Sequence, residues 1–167
     1  MNLAQKIGLT LMLSPVIAQA EWSVITHTDT NNNTKTQVAY TQNDEGYSLE
    51  IYKDNVGAIR SRFSLNIALD MLAKRSCPTY QIDSTLLDNR SINDAPCLTD
   101  LAWSEFILGY TENNSVTSDK LNALMNGGTI TFRFILDNGS YKETNFSLSG
   151  SKRATLSALG PDVSILP

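Results

Sequence analysis

The stretch that decides the fold is TITFRFILDNGSYKETNFSLSG, residues 129–150. Apolar side chains occupy every second position of its first half: Ile130, Phe132, Phe134 and Leu136. A period of two places such residues on one face of a β-strand. Asn138-Gly139 follows, and these residues are typical of a tight type I′ turn, which requires positive φ at both positions. The chain then returns along SYKETNFSLS, so the stretch predicts an antiparallel hairpin with one buried face.

The same period of two recurs through most of the chain. Further segments of this kind are EWSVITHT (21–28), KTQVAYT (35–41), GYSLEIYKD (46–54), YQIDSTLL (80–87) and AWSEFILGYT (102–111). Residues 56–74 begin with the same alternation, but their second half fits either a strand or a helical turn.

Two short segments predict helices. They are SDKLNALM (118–125), which Thr117 or Ser118 can cap, and SKRATLSAL (151–159). Asn126-Gly127-Gly128 is expected to end the first helix, because glycine adopts a left-handed cap without steric cost. We therefore expect an all-β or β-rich fold, an antiparallel β-sandwich of about eight strands with two short helices.

Residues 1–20 predict a secretory signal peptide. Lys6 precedes the apolar run IGLTLMLSPVIA, and Ala18-Gln19-Ala20 is a small-residue cleavage pattern. The run is shorter than the roughly 20 residues that cross a bilayer. We expect cleavage after Ala20, a periplasmic or secreted location, and a single β-rich globular domain at residues 21–167 with no transmembrane segment.

The only two cysteines, Cys77 and Cys97, predict a disulfide. Paired thiols of an exported chain meet an oxidising environment, where they are usually bonded. Redox exchange would favour a C-x-x-C spacing, which is missing, and the chain has a single His to complete a zinc site. We expect a structural bond and no metal or cofactor.

The charge pattern bears on possible partners. The net charge of the chain is −4, and Lys6 is the only charged residue of the predicted leader, so the remainder is more acidic. Its basic residues are scattered in pairs such as Arg60 and Arg62 rather than along a stripe. This pattern argues against nucleic acid and against anionic membrane surfaces as partners.

Several motifs hint at chemistry, but each has a simpler interpretation. Ser149-x-x-Lys152 matches the serine–lysine pair of penicillin-recognising enzymes, yet their S-D-N and K-T-G elements are missing. The run starting at Asp29 lacks the glycine and the glutamate of a calcium loop. His27 and Asp29 share a strand face, but no G-x-S-x-G accompanies them. We expect no catalytic, cofactor-binding or metal-binding residues.

Aromatic residues of one segment are the better candidates for a binding site. Strand alternation turns some of them away from the core, and an exposed aromatic patch marks a partner site. The candidate partner-binding residues are Trp103, Phe106 and Tyr110, of which the last two share a strand face. Ordinary packing within the sheet is the alternative interpretation.

The C-terminal third resembles the end of invasion-associated locus B proteins. In that family a short helix ends in Leu-x-x-Gly, two strands follow, and Ser-Leu-x-Gly leads into a final helix. Leu124 to Gly127 and Ser147 to Gly150 occupy those places, and Trp22 matches an early strand tryptophan. Members commonly carry more cysteines than this chain. The resemblance implies a secreted or periplasmic bacterial β-rich domain with no assigned catalytic residues.

These observations favour an exported, non-enzymatic protein that binds another macromolecule, with a protein as the expected partner. Two alternatives stay open. One is a periplasmic immunity or inhibitor protein that neutralises a toxin or hydrolase. The other is a small periplasmic hydrolase using His27 or Lys152.

Overall fold

A computed structural model describes residues 21–30, 33–92, 95–161 and 163–166. The predicted signal peptide, residues 1–20, lies outside the described residues. The described part contains eleven strands and two helices. They are β1 (Ser23–Thr28), β2 (Lys35–Gln42), β3 (Ser48–Lys53), β4 (Ala58–Ser64), β5 (Thr79–Ile82), β6 (Leu98–Thr99), β7 (Trp103–Tyr110), β8 (Ser115–Thr117), α1 (Asp119–Asn126), β9 (Thr129–Ile135), β10 (Tyr141–Ser147), α2 (Ser151–Leu159) and β11 (Ser164–Leu166).

The strands form two main antiparallel sheets. The larger has the order β1-β2-β3-β4-β7-β6, and the smaller has the order β10-β9-β5. A third, parallel pair joins β11 to β8 at the end of the chain. The β-rich sandwich expected from the sequence is confirmed, with more strands than predicted because β6, β8 and β11 are only two or three residues long.

Aromatic rings from both sheets form the centre of the core. Phe63 of β4 stacks on Phe132 of β9, with ring centroids 4.3 Å apart and planes 6° from parallel. Phe134 and Phe146 pack against the same Phe63 ring at 5.3 and 6.0 Å. These residues alternate with outward-facing ones along their strands, so the period of two in the sequence corresponds to the core face of each sheet.

The hairpin predicted at residues 129–150 is present as β9 and β10, but its turn differs from the prediction. Only Gly139 has a positive φ, 83°, and Asn138 does not. The Gly139 N–H donates to the Leu136 carbonyl at 2.9 Å, and Leu136 N–H donates to Ser140 O at 2.8 Å. The type I′ prediction is therefore wrong: the loop has three residues, Asp137 to Gly139, as in a type I turn closed by a glycine bulge.

Helix α1 begins as predicted and ends differently. The Ser118 side chain accepts a hydrogen bond from Leu121 N–H, which makes it the N-cap. Gly127 ends the helix with φ −74°, so the predicted left-handed cap is wrong. Glycine is needed there because of close packing: an added Cβ would lie 2.6 Å from Ile82 Cγ2 and 2.9 Å from Ala123 O.

The predicted disulfide joins Cys77 to Cys97, whose Cα atoms are 5.8 Å apart. Cys77 lies just before β5 of the smaller sheet, and Cys97 lies just before β6 of the larger one. The bond therefore ties the two sheets together at their edges. Lys120 of α1 also holds the enclosed loop, through Asp88 at 2.8 Å and the Arg90 carbonyl at 2.7 Å.

The ambiguous segment 56–74 is a strand only in its first half. It forms β4 as far as Ser64 and then turns, before Leu72 makes an isolated bridge to Leu136. Neither of the helices in the described part of the chain is long and apolar enough to cross a membrane.

Candidate binding surface on the larger sheet

The three predicted partner-binding residues all lie in β7 but do not form one surface. Phe106 is only 1% exposed and packs edge-on against Tyr80, with centroids 5.1 Å apart, so its side chain is not accessible to a partner. Trp103 is half-buried on the opposite face of the strand. Tyr110, 38% exposed, lies at the far end of β7 beside a shallow groove that Ile92 and Glu112 also line. Of the three, Trp103 alone belongs to the cluster described next.

A cluster of long polar and aromatic side chains covers the outer face of the larger sheet. Strand register explains it, because Glu50 of β3 pairs with Arg62 of β4, which pairs with Glu105 of β7. Tyr52 pairs with Arg60, two residues further along the same two strands. Directly opposed residues point to the same side of a sheet. We call this cluster the arginine–aromatic surface; it consists of Glu50, Tyr52, Asp54, Arg60, Arg62, Trp103 and Glu105.

Glu105 is the centre of the arginine–aromatic surface. Its carboxylate accepts a hydrogen bond from Arg60 Nη1 at 2.7 Å, and from Arg62 Nε and Nη2 at 3.0 and 2.8 Å. The Tyr52 hydroxyl donates a further bond. The Glu105 side chain is only 6% exposed, so these donors replace the water it loses. Hydrogen bonds between ionised partners are among the strongest in proteins, and they fix both guanidinium groups in place.

Arg62 lies beside two aromatic rings. Its guanidinium carbon is 4.9 Å from the centroid of Trp103 and 5.6 Å from that of Tyr52. Both distances are within cation–π range. Because β4 runs between β3 and β7, Arg62 lies between the two rings. A third of the Arg62 side chain, 33%, remains exposed.

Asp54 extends the cluster beyond the end of β3. Its carboxylate accepts from Arg60 Nε at 2.7 Å and from the backbone N–H of Val56 and Ala58 at 3.0 and 2.8 Å. Burial alone would raise the pKa of Asp54, but these hydrogen bonds outweigh burial and hold it below its usual value. Asp54 therefore stays ionised and anchors Arg60 from the side opposite Glu105.

Glu50 is a second buried carboxylate of the cluster. Its side chain is 10% exposed, and its Oε1 lies 3.6 Å from His27 Nε2. Burial raises the pKa of Glu50, although His27 and Arg62 act in the opposite direction. Burial likewise raises the pKa of Tyr52, and the bond to Glu105 adds to this effect. Tyr52 therefore remains a neutral donor at physiological pH.

Other candidates from the sequence have structural contacts. Lys152 Nζ contacts Asn126 Oδ1 at 3.2 Å, on the surface between the two helices. His27 lies by Glu50, while the run from Asp29 falls partly outside the described residues. Among the residues that the structure describes, no group of three or more His, Cys, Asp or Glu side chains is placed to hold a metal ion.

The sequence contained a usable signal for this surface. Glu50 and Tyr52, Arg60 and Arg62, and Trp103 and Glu105 are each two positions apart, so each pair occupies one strand face. The arginines stood out only as scattered basic residues. Their carboxylate partner lies 45 positions beyond Arg60, and only the strand register brings the two together.

Comparison with known proteins identifies no relative: no protein-family model, curated protein or solved structure matches the chain.

Proposed function

We propose that this chain is an exported, non-enzymatic protein that binds another protein through the arginine–aromatic surface. The observation that carries the proposal is the Arg62 guanidinium held between Trp103 and Tyr52. Tryptophan, tyrosine and arginine are the residue types most enriched at the energetic centres of protein interfaces.

The rigidity of the surface supports a role in binding. Glu105 fixes both arginines, and Asp54 holds Arg60 from a second direction. Ordering long side chains normally costs free energy when a complex forms. Here the arginines are already held in place in the free domain, so a partner would contact Arg62 and its two neighbouring rings without that loss.

Two observations support the other parts of the proposal. The disulfide between Cys77 and Cys97 fits an extracellular or periplasmic protein, because such bonds persist in oxidising compartments. A non-enzymatic role is supported because groups that could act in catalysis already bond to other side chains. Glu105 accepts hydrogen bonds from two arginines, and Lys152 contacts Asn126.

The likeness to invasion-associated locus B proteins is part of the same hypothesis. The order of α1, β9, β10 and α2 agrees with the element order expected from that resemblance. Gly150, the last residue of the Ser-Leu-x-Gly motif, precedes α2 with φ 90°, a conformation that favours glycine.

Affinity capture tests the proposal. The exported protein is immobilised and exposed to an extract of its own cell envelope and medium, in parallel with Trp103→Ala and Arg62→Ala variants. Arg133→Ala is the matched control, because Arg133 pairs with Glu143 on the other sheet at a similar distance, 2.7 Å. We expect a captured protein whose dissociation constant rises at least tenfold in both surface variants and stays within about twofold in the control.

The proposal fails if no captured protein depends on Trp103 and Arg62 while both variants keep the wild-type circular dichroism spectrum. It also fails if Arg133→Ala weakens capture as much as the surface variants do. That result would place the binding site on the smaller sheet.

A further inference from the structure

Strand β1 is an open edge of the larger sheet. Within the described residues it pairs with β2 alone, and at six residues it is far longer than β6, the two-residue strand at the opposite edge. In the smaller sheet, side chains from elsewhere in the chain bond to the backbone of the edge strand β10. Trp22 Nε1 donates to the Ser147 carbonyl of β10 at 2.8 Å, and Asn43 Nδ2 donates to Asn145 O at 3.2 Å.

The sequence of β1 does nothing to protect this edge. SVITHT contains no proline, glycine, lysine, arginine or carboxylate, and four of its six residues are β-branched. Edge strands that must stay unpaired usually carry such charges or prolines. Val24 is 40% exposed, so the strand also presents apolar area.

Hydrogen-bond alternation identifies the backbone groups that face outward. Asp29 N–H donates to the Thr34 carbonyl at 2.9 Å, just beyond the β1–β2 ladder. Bonded and non-bonded pairs alternate in an antiparallel ladder, so His27 and Ile25 bond to β2 as well. The N–H and C=O groups of the intervening residues therefore point away from the sheet: Val24, Thr26 and Thr28.

We propose that two copies of this chain associate through antiparallel pairing of β1 with β1, about a two-fold axis at Thr26. Opposed residues must point to the same face, and the outward groups must meet each other. Among the registers that satisfy both conditions, the axis at Thr26 is the one that pairs all three outward residues within the strand. Thr26 then faces Thr26 of the second copy, and Val24 faces Thr28. Three such pairs exchange about six backbone hydrogen bonds.

A second copy fits this edge for reasons of charge and symmetry. The chain is acidic overall, so its carboxylate-bearing surfaces repel one another, whereas β1 contains no Asp, Glu, Lys or Arg. The two-fold register opposes Asp29 to Ser23, so no like charges meet across the ladder. An isologous contact also closes on itself and stops at a dimer. The inference does not depend on the arginine–aromatic surface.

Charge placed on the axis tests the pairing. Thr26→Lys sets two lysines opposite each other, and Thr26→Glu does the same with two carboxylates. Thr26 is exposed, so both variants should fold. Sedimentation equilibrium should find a dimer for the wild type and at least a tenfold higher dissociation constant for either variant. An equimolar mixture of the two variants should dimerise again, because lysine then faces glutamate. Val56→Lys, on an exposed turn residue, should leave the dimer unchanged.

Hydrogen exchange on the wild-type protein provides a readout without substitution. The amides of Val24, Thr26 and Thr28 should become more protected as concentration rises, while those of Ile25 and His27 should not change. The proposal is overturned if the wild type stays monomeric at millimolar concentration. It is equally overturned if Thr26→Lys dimerises normally, if the mixture stays monomeric, or if protection is independent of concentration.

Discussion

Replacing Glu105 by glutamine should destabilise the protein strongly although the two side chains have the same shape. Glutamine keeps one acceptor oxygen and turns the other into an N–H₂ group. That group would then face guanidinium or phenol donors from Arg60, Arg62 or Tyr52. The change removes the carboxylate that bonds to both arginines.

The magnitude follows from the bonds that Glu105 accepts. Three of them come from guanidinium groups, at 2.7, 2.8 and 3.0 Å, and a bond to a charged group contributes about 1.5–3 kcal/mol. Breaking a fully buried ion pair costs about 3–5 kcal/mol. Arg60 and Arg62 are 19% and 33% exposed and can recover some hydration. We therefore expect Glu105→Gln to lower the free energy of unfolding by about 3 kcal/mol.

Urea unfolding followed by tryptophan fluorescence measures this loss. Glu143→Gln is the matched control, since Glu143 also accepts from an arginine at 2.7 Å but is 44% exposed. Exposed pairs contribute about 0–1 kcal/mol, so the control should change little. If Glu105→Gln costs no more than Glu143→Gln, the buried network does not stabilise the sheet as argued.

Three further outcomes are expected. Changing Cys77 and Cys97 together to serine should cost about 2–4 kcal/mol, and a reductant should lower the melting temperature of the wild type alone; equal melting with and without reductant would contradict this. Gly139→Val should lower the free energy of unfolding by about 1 kcal/mol, because a β-branched residue resists a φ of 83°. Gly139→Asn should lower it less, and equal losses would mean that the backbone conformation of residue 139 is not the cause. Burial raises the pKa of Glu50 in the folded state, so its charge destabilises the fold as pH rises through that pKa. Glu50→Gln should therefore raise the melting temperature at pH 7 and lose that advantage in acid, and a variant less stable than wild type at pH 7 would refute the argument.

Local alternation was enough to predict the hairpin of β9 and β10 but not its turn. Phe132 and Phe134 face the core as their spacing predicts. The turn was less determined, because Asn138-Gly139 suits both a two-residue type I′ loop and a three-residue loop with glycine in the bulge. Asp137 joins the loop here, and the two forms differ in register beyond the turn. Sequence pattern thus specified the strands better than the loop between them.

Long-range strand pairing limited how much of the binding surface could be predicted from the sequence. Trp103 and Phe106 were equally plausible from composition, and the structure places Phe106 against Tyr80 in the core. Arg60 and Glu105 are brought together by the pairing of β4 with β7, which no local pattern encodes. A prediction of strand order would have been needed before the polar faces could be matched.

The position of the disulfide has a consequence for the order of assembly. Strands β1 to β4 pair with their sequence neighbours, so this meander can form as soon as residues up to Ser64 are available. Strand β5 must instead wait for β9, which begins at Thr129. Non-local pairings of this kind are slow because a long loop must close first. A bond formed early between Cys77 and Cys97 would hold β5 beside β6, so the loop that must close before β5 meets β9 is counted from residue 97 and is shorter. We expect the reduced chain to refold more slowly than the oxidised one, by an amount set by loop closure rather than by the stability of the finished domain.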